Sequence, residues 1–262
     1  MRTALLVALS LLLAKTAAAQ QPFVTDDADV TAPRKFHLQF SNEFDWLPRT
    51  SFPNLRQNTA SFELEYGLLK GLEVGIEAPV LALFNDPSAA RRRAFGLGDV
   101  NTTVKYNFLP ERKGSWLPSL AVNVNVELPT GDTRRQLGSG LADVYINGIA
   151  QKSLTNRTML RFNGGILFSG NTLTGAVGLA TRGVVGTGAL SVVRQFRRNL
   201  ELGMEVTGAH TANFGLGKGL IQVRGGGHYL VRDRFSLDFA VLKGRLEGSP
   251  RVGMLIGFSL DF

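Results

Sequence analysis

Several features that soluble enzymes rely on are scarce or absent in this chain of 262 residues. There is no cysteine, which excludes a disulfide-stapled scaffold and a cysteine-ligated metal centre. Charged residues make up only 19% of the sequence, whereas hydrophobic residues make up 44%, a share that excludes a disordered chain. So few charges are unusual for a surface covered by water. We therefore expect something other than water to cover part of this surface.

Residues that carry catalysis or bind metals are thinly represented. The acidic run Asp26, Asp27 and Asp29 is interpreted as a solvated turn rather than a calcium site. The glycine run 225–227 lacks the lysine and hydroxyl residue of a phosphate-binding loop. A hydrolase needs a histidine close to a serine or a carboxylate. The sequence has only three histidines, His37, His210 and His228. We interpret them as structural, so the sequence predicts no enzyme, no catalytic residue, no metal and no cofactor.

The first 19 residues have the three parts of a secretory signal. Arg2 supplies positive charge, residues 4–14 form an apolar run that ends before Lys15, and small residues follow at 17–19. The apolar run is too short for a spanning helix, so we expect cleavage after residue 19. Residues 20–34 would then form a periplasmic N-terminal segment. Export, together with a mild excess of 27 basic over 21 acidic side chains in the mature chain, argues against nucleic acid as a partner.

Beyond residue 20, no uncharged apolar run is long enough for a transmembrane helix, and apolar residues recur with period two. Between 35 and 46, for example, aromatic and leucine side chains occupy one face, and polar side chains such as Gln39 occupy the other. Such segments have the length of a barrel strand that crosses a bilayer. About twelve strands are predicted, at 35–46, 61–68, 72–78, 101–108, 120–128, 143–151, 160–168, 184–196, 201–207, 221–231, 235–241 and 251–262.

The connections between these segments alternate in length. The links after the even strands are mostly short, whereas the links after the odd strands are long and rich in Gly, Pro or Arg. The long links cover 48–58, 81–99, 129–141, 169–181, 210–218 and 244–249. This alternation predicts an all-β fold, a transmembrane antiparallel up-and-down β-barrel over residues 35–262 with both termini in the periplasm of a bacterial outer membrane.

A soluble β-sandwich or a lipocalin-like barrel also alternates its faces, but it places the apolar face inside. Two features favour the membrane barrel. The polar face gathers many charges, and aromatic residues mark the ends of the apolar face, as interfacial girdles require. The chain also ends on Phe258, Leu260 and Phe262 at steps of two. We interpret these three as the insertion signal that the barrel insertion machinery reads.

Four segments carry a resemblance to a known family. Residues 23–29 read FVTDDAD, and FGLGD stands at 95–99 before Lys105-Tyr106. LPTGD follows at 128–132 and GSGLAD at 138–143. The chain resembles the MetA-pathway phenol degradation family of transporter-like outer membrane proteins of Gram-negative bacteria. That resemblance implies an outer membrane barrel and the passage of aromatic or other small compounds.

Two function classes stay open, and a lipid-modifying enzyme is a third, less favoured alternative. The first is a passive channel for a small solute that the sequence does not identify. The second is a closed structural or adhesive barrel whose outer loops carry the function. Twelve strands enclose more space than the roughly eight that side chains fill, which favours the channel.

The residues predicted to matter in a channel are charged. Glu205, Arg224 and Asp238 are expected to meet near mid-height as an ion-paired constriction. Further lumen candidates are Glu63, Glu77, Lys105, Arg161 and Arg251. The expected partners also include outer membrane lipid. Three consecutive residues, Arg91, Arg92 and Arg93, are candidates for binding lipopolysaccharide phosphates, because guanidinium forks suit phosphate.

Overall fold

Alternating side chains along the chain give rise to one antiparallel sheet that closes on itself. The computed structural model describes residues 22–169, 183–210 and 219–262. The predicted signal sequence and the predicted links at 169–181 and 210–218 lie almost wholly outside the described residues. Within the described ranges, no helix is long and apolar enough to cross a membrane.

Thirteen strand segments make up the sheet. They are β1 (Phe36–Trp46), β2 (Asn54–Leu69), β3 (Leu72–Asn85), β4 (Arg93–Leu97), β5 (Val100–Leu109), β6 (Ser119–Leu128), β7 (Asp143–Thr155), β8 (Thr158–Ser169), β9 (Gly183–Arg197), β10 (Leu200–His210), β11 (Gly219–Arg232), β12 (Phe235–Gly244) and β13 (Val252–Asp261).

Strands that follow each other along the chain pair antiparallel, except that β4 and β5 both pair with β3, and β1 pairs with both β2 and β13, which closes the barrel. The pairing of β1 with β13 joins the two ends of the sheet, as a spanning sheet requires, and the short β4 pairs on one side only. Two-residue links join β2 to β3, β7 to β8, β9 to β10 and β11 to β12 at one end, here called the turn end. The opposite end, the loop end, carries the longer links 47–53, 86–92, 129–142 and 245–251.

The predicted count of twelve strands is confirmed, because β4 and β5 are the two parts of one interrupted strand. β3 pairs with β5 as far as Glu77 opposite Asn101, and with β4 from Val80 opposite Leu97 onward, so the register shifts by one residue between them. Pro79 lies at this point of β3 and has no N–H to donate. Its carbonyl accepts the N–H of Gly98 at 2.8 Å. The interruption therefore falls where the ladder lacks a donor.

The polar face points into the lumen and the apolar face points outward. Phe62 and Ile76 are 50% and 49% exposed on the outer surface, whereas Lys105 and Arg161 are each 2% exposed inside. A lipocalin-like barrel would show the reverse arrangement. This observation confirms the membrane-type barrel and excludes the soluble alternative.

Aromatic rings mark both ends of the closure seam. At the turn end the Phe36 ring lies 4.7 Å from that of Tyr66 and 5.5 Å from that of Phe262, centroid to centroid. At the loop end the rings of Phe44 and Trp46 lie 4.7 Å apart. Phe36 and Phe262 also exchange backbone hydrogen bonds of 2.8 and 3.0 Å. Phe262 thus joins the first strand to the end of the last one.

We predict that deletion of Phe262 lowers the amount of protein inserted in the outer membrane. The deletion removes two backbone hydrogen bonds at the seam and one ring of the turn-end girdle. Quantitative immunoblotting of outer membrane fractions measures the effect. Deletion of an exposed turn residue, Gly114, is the control. Equal membrane levels of both variants and the parent would contradict the role of Phe262.

Candidate functional site in the barrel lumen

Residues 22–33, here called the lumen segment, lie inside the barrel along its inner wall. Thr25 and Ala28 are fully buried, and Asp27 is 2% exposed. The expectation of a solvated acidic turn is therefore wrong for Asp26 and Asp27, which are buried. The physical reason is charge pairing, because the lumen wall carries buried cations that the aspartates neutralise.

Lys105 on β5 is the centre of this pairing. Its Nζ lies 3.4 Å from an Asp26 carboxylate oxygen, 3.9 Å from Asp27 and 3.2 Å from Glu73 on β3. Asp26 also accepts a 2.8 Å hydrogen bond from the amide of Asn123 on β6. A buried ammonium is costly unless it is paired. The three carboxylates around it meet that requirement, and two of them belong to the lumen segment.

The rest of the lumen segment is held by side chains from several strands. Asp27 lies 3.5 Å from the guanidinium of Arg161 on β8. Gln151 on β7 accepts the N–H of Ala28 at 3.3 Å and donates to Asp29 at 2.9 Å. Near the turn end the segment meets Gly67 on β2, where any Cβ would overlap the carbonyl oxygens of residues 31 and 32. The segment therefore has a defined position rather than a loose one.

Arg224 and Glu205 bind the start of the lumen segment. Arg224 on β11 donates to the carbonyl of Pro22 at 2.9 Å and lies 2.9 Å from Glu43 on β1. It lies 3.9 Å from Glu205 on β10, its cross-strand neighbour. Glu205 accepts the N–H groups of residues 24 and 25. The structure thus places Glu205 and Arg224 side by side on neighbouring strands, as the sequence led us to expect.

Asp238 does not join this pair, so that part of the predicted constriction is wrong. Asp238 stands opposite His228 on β11, whereas Arg224 stands opposite Leu242 on β12. Asp238 therefore lies four residues nearer the turn end than expected. It bonds the Nδ1 atom of His228 at 2.7 Å and accepts from Ser259 at 2.9 Å. Glu43 takes the place that Asp238 was expected to fill.

The loop end of the lumen is narrowed by an inward-folded link, residues 129–142. Asp99, at the break between β4 and β5, accepts the N–H of Gly131 at 2.8 Å and that of Ser139 at 2.9 Å. Leu137 is 2% exposed and packs with three buried side chains of the wall. These are Leu81, Leu83 and Ala94. The three motifs at 95–99, 128–132 and 138–143 thus form one cluster.

The wall from β2 to β7 is acidic. Glu63 stands opposite Glu77 on the neighbouring strand, and Glu127 stands opposite Asp143. Asn101 lies in the same row, between Glu77 and Glu127. The two candidates Glu63 and Glu77 therefore belong to a row of carboxylates along the lumen wall. Such a row attracts cations into the lumen.

The remaining candidates lie at the loop end. Arg251 is not a lumen residue, because it precedes β13, is exposed, and donates to the Arg245 carbonyl at 2.6 Å. Arg91 and Arg92 lie in the link between β3 and β4, where their carbonyls accept from Asn85. Arg93 begins β4. All three arginines are exposed.

A closed barrel of twelve strands with an apolar outer face and a polar lumen is the architecture of outer membrane channels and porins. The chain belongs to the MetA-pathway of phenol degradation family, whose sequence profile matches residues 22–262. The match includes the lumen segment and the three loop-end motifs. None of the curated proteins compared with the chain matches it.

Solved structures with similar folds include channels and one translocator. An outer membrane channel from Pseudomonas putida F1 is 13% identical, with a TM-score of 0.64 over 92% of this chain and 99% of the channel. The NanC porin is 10% identical, with a TM-score of 0.58 over 86% and 98%. The translocator domain of the autotransporter NalP from Neisseria meningitidis is 10% identical, with a TM-score of 0.54 over 100% and 95%. At these identities the likeness concerns the fold.

We predict that the aspartates hold the lumen segment in place. Since the chain has no cysteine, Ala28→Cys introduces a single reporter thiol at a fully buried position. Adding Asp26→Asn and Asp27→Asn removes the pairing with Lys105 and Arg161, so opening the segment costs less free energy. The maleimide labelling rate should rise at least about tenfold, which corresponds to about 1.4 kcal/mol.

Trp116→Cys provides the control, because Trp116 is 83% exposed in the link 110–118, which joins β5 to β6 at the turn end. Its labelling should be fast with or without the two asparagines. Equal labelling rates at position 28 in both backgrounds would show that the aspartates do not hold the segment.

Proposed function

We propose that this protein is a passive channel for small solutes in the bacterial outer membrane, with its turn end in the periplasm. The observation that carries the proposal is the division of faces, with the apolar side chains on the outer surface and the polar ones in the lumen. A polar lumen enclosed by twelve strands is wider than side chains alone can fill. The long and short links support the orientation, as in known outer membrane barrels.

We propose that the path for solutes through this channel is narrow. The lumen segment occupies part of the turn-end half, and the link 129–142 occupies part of the loop-end half. Both are short stretches held by hydrogen bonds, ion pairs and small apolar contacts. We therefore propose that the protein passes small solutes one at a time rather than polymers.

The channel is proposed to prefer cations. The row that includes Glu63, Glu77, Glu127 and Asp143 lines the wall from β2 to β7. The cations Lys105 and Arg161 lie against Asp26 and Asp27 of the lumen segment, and Lys105 also lies against Glu73. Fixed charge of one sign along a lumen raises the local concentration of the opposite sign.

Aromatic compounds are the solute class that the family description supports. Some of the described apolar side chains of the inner face pack into small clusters. One contains Leu81 and Leu83, and another contains Leu167 and Val185. They form small cores against the wall, so support for an aromatic solute rests on the family description. The proposal involves no enzymatic activity, no cofactor and no metal.

A closed barrel with functional loops is the second candidate. The specific observation in its favour is that Lys105, Arg161 and Arg224 hold the lumen segment rather than line an open path. In that case the ion pairs stabilise a plugged interior. Conductance separates the two functions directly.

We predict that refolded protein in planar bilayers conducts ions and that its selectivity responds to the lumen pair. Arg224→Ala removes a cation that lies beside Glu43 and Glu205. It should raise the conductance and move the reversal potential in a KCl gradient toward that of a more cation-selective pore. Glu205→Ala should move it in the opposite direction.

Arg251→Ala is the matched control, since it removes the same charge from an exposed position at the loop end. Its reversal potential should stay close to that of the parent. The channel proposal fails if parent and variants are electrically silent and liposomes that contain them do not swell in small neutral or aromatic solutes.

A further inference from the structure

A row of alternating aromatic and cationic side chains crosses four strands on the outer surface at the loop end. Trp46 on β1 stands opposite Arg56 on β2, Arg56 stands opposite Phe84 on β3, and Phe84 stands opposite Arg93 on β4. We call these four residues the rim row. Their side chains share the outward face, because Phe62 and Leu64 on β2 point outward in the same phase as Arg56.

The two arginines of the rim row converge on one ring. The guanidinium carbons of Arg56 and Arg93 each lie 6.0 Å from the centroid of Phe84. The two guanidinium groups therefore lie within twice that distance of each other. Both arginines are exposed, and Phe84 is half-buried beneath them. Stacking on an aromatic ring keeps a guanidinium in position while its donors stay available.

Deeper along the same outer surface lies a pair of amides. Asn42 and Asn58 donate to each other's side-chain oxygens at 3.2 and 2.8 Å, and Asn58 also donates to the Glu43 carbonyl at 3.2 Å. Asn58 is two residues from Arg56 along β2, which is roughly 5 Å deeper at the usual strand rise and tilt. Amides on a lipid-facing surface are unusual unless a polar group lies beside them. They continue the polar track below the arginines.

We propose that the rim row and the amide pair bind the phosphorylated headgroup of a glycolipid in the outer leaflet. Arg56 and Arg93 hold phosphate, because guanidinium forks make paired, charge-assisted hydrogen bonds to it. Asn42 and Asn58 lie where the sugar and ester groups of such a lipid would lie, and Trp46 packs at the interface. The inference rests on the proposed outer membrane location, with the loop end facing outward.

This site differs from the one that the arginine run predicts. Arg91 and Arg92 lie in the link beyond the barrel edge, whereas Arg93 shares its ring with Arg56, a residue 37 positions earlier in the sequence. The turn end of the barrel has a simpler contact between an arginine and an aromatic ring. There Arg194 lies 5.8 Å from the ring of Phe196, with one cation on one ring.

The test uses purified, refolded protein in detergent and lipid A with its phosphates as the probe. Native mass spectrometry measures the bound lipid over a titration. We expect Arg56→Ser with Arg93→Ser to weaken binding at least about tenfold. Arg91→Ser with Arg92→Ser removes the same charge from the neighbouring link, and its affinity should stay within about twofold of the parent's. Dephosphorylated lipid A should bind the parent weakly.

Two further arms separate the alternative outcomes. Inorganic phosphate in excess should not displace the lipid, and displacement at matched concentration would show a free-anion site and overturn the lipid assignment. Arg56→Lys with Arg93→Lys keeps the charge without the planar fork and should bind with intermediate affinity.

An equal loss of lipid A affinity in both double-serine variants would indicate a diffuse basic rim without a defined site. No loss of affinity in either variant would show that these arginines do not bind the lipid. Both results would overturn the proposal. Each variant is first shown to be folded by its shifted mobility on an unboiled gel. Since the measurement needs no conduction, its outcome is independent of whether the protein is a channel.

Discussion

The buried ammonium of Lys105 is the interaction on which the interior of this barrel depends. A closed sheet with an apolar outer face turns its polar side chains inward, and a cation that is 2% exposed there needs partners within a few ångströms. Glu73 supplies one partner from the wall, and Asp26 and Asp27 supply the others from the lumen segment. The need to neutralise Lys105 thus draws a stretch of backbone into the lumen.

A buried charge also holds a stretch of chain in the lumen at the loop end, but there the charge is a carboxylate on the wall. Asp99 lies where Pro79 interrupts the ladder, and its carboxylate accepts backbone N–H groups from the link 129–142. Leu137 then covers the apolar wall beside it. Both ends of the lumen are therefore narrowed by chain that a buried charge holds in place. These stretches are also the ones that carry the family motifs, which gives the motifs a physical role.

Local periodicity was sufficient to predict most of the barrel. The alternation in β1 or β6 is visible within ten residues. The number of strands and the assignment of side chains to one face or the other therefore follow from the sequence. The outer parts of β2 and β3 escaped prediction, because Pro79 and the mixed polar residues near 54–60 break the pattern. Asp238 was assigned to the correct face but to the wrong depth, since register depends on turns and bulges rather than on alternation.

The lumen segment was not visible to this reasoning. Its pairing joins Asp27 to Arg161, which are far apart in sequence, and periodicity carries no information at that range. One signal existed. The cross-strand neighbours of Arg161 are Gln151 and Ser191, so the wall itself supplies no carboxylate directly beside this buried cation. A lumen cation of that kind predicts an acidic partner from outside the sheet.

Single-channel conductance of a variant that lacks residues 22–31 tests the central claim most directly. The claim is that a water-filled path crosses the barrel and that the lumen segment narrows it. Removing the segment leaves Lys105 paired with Glu73 and lets lumen water reach Arg161, so the barrel is expected to fold, as its unboiled gel mobility would show. We predict a larger conductance than that of the full mature chain, with weaker cation selectivity, because the deletion removes Asp26, Asp27 and Asp29 and leaves Arg161 facing the lumen. An equal conductance, or none from either protein, would contradict the account.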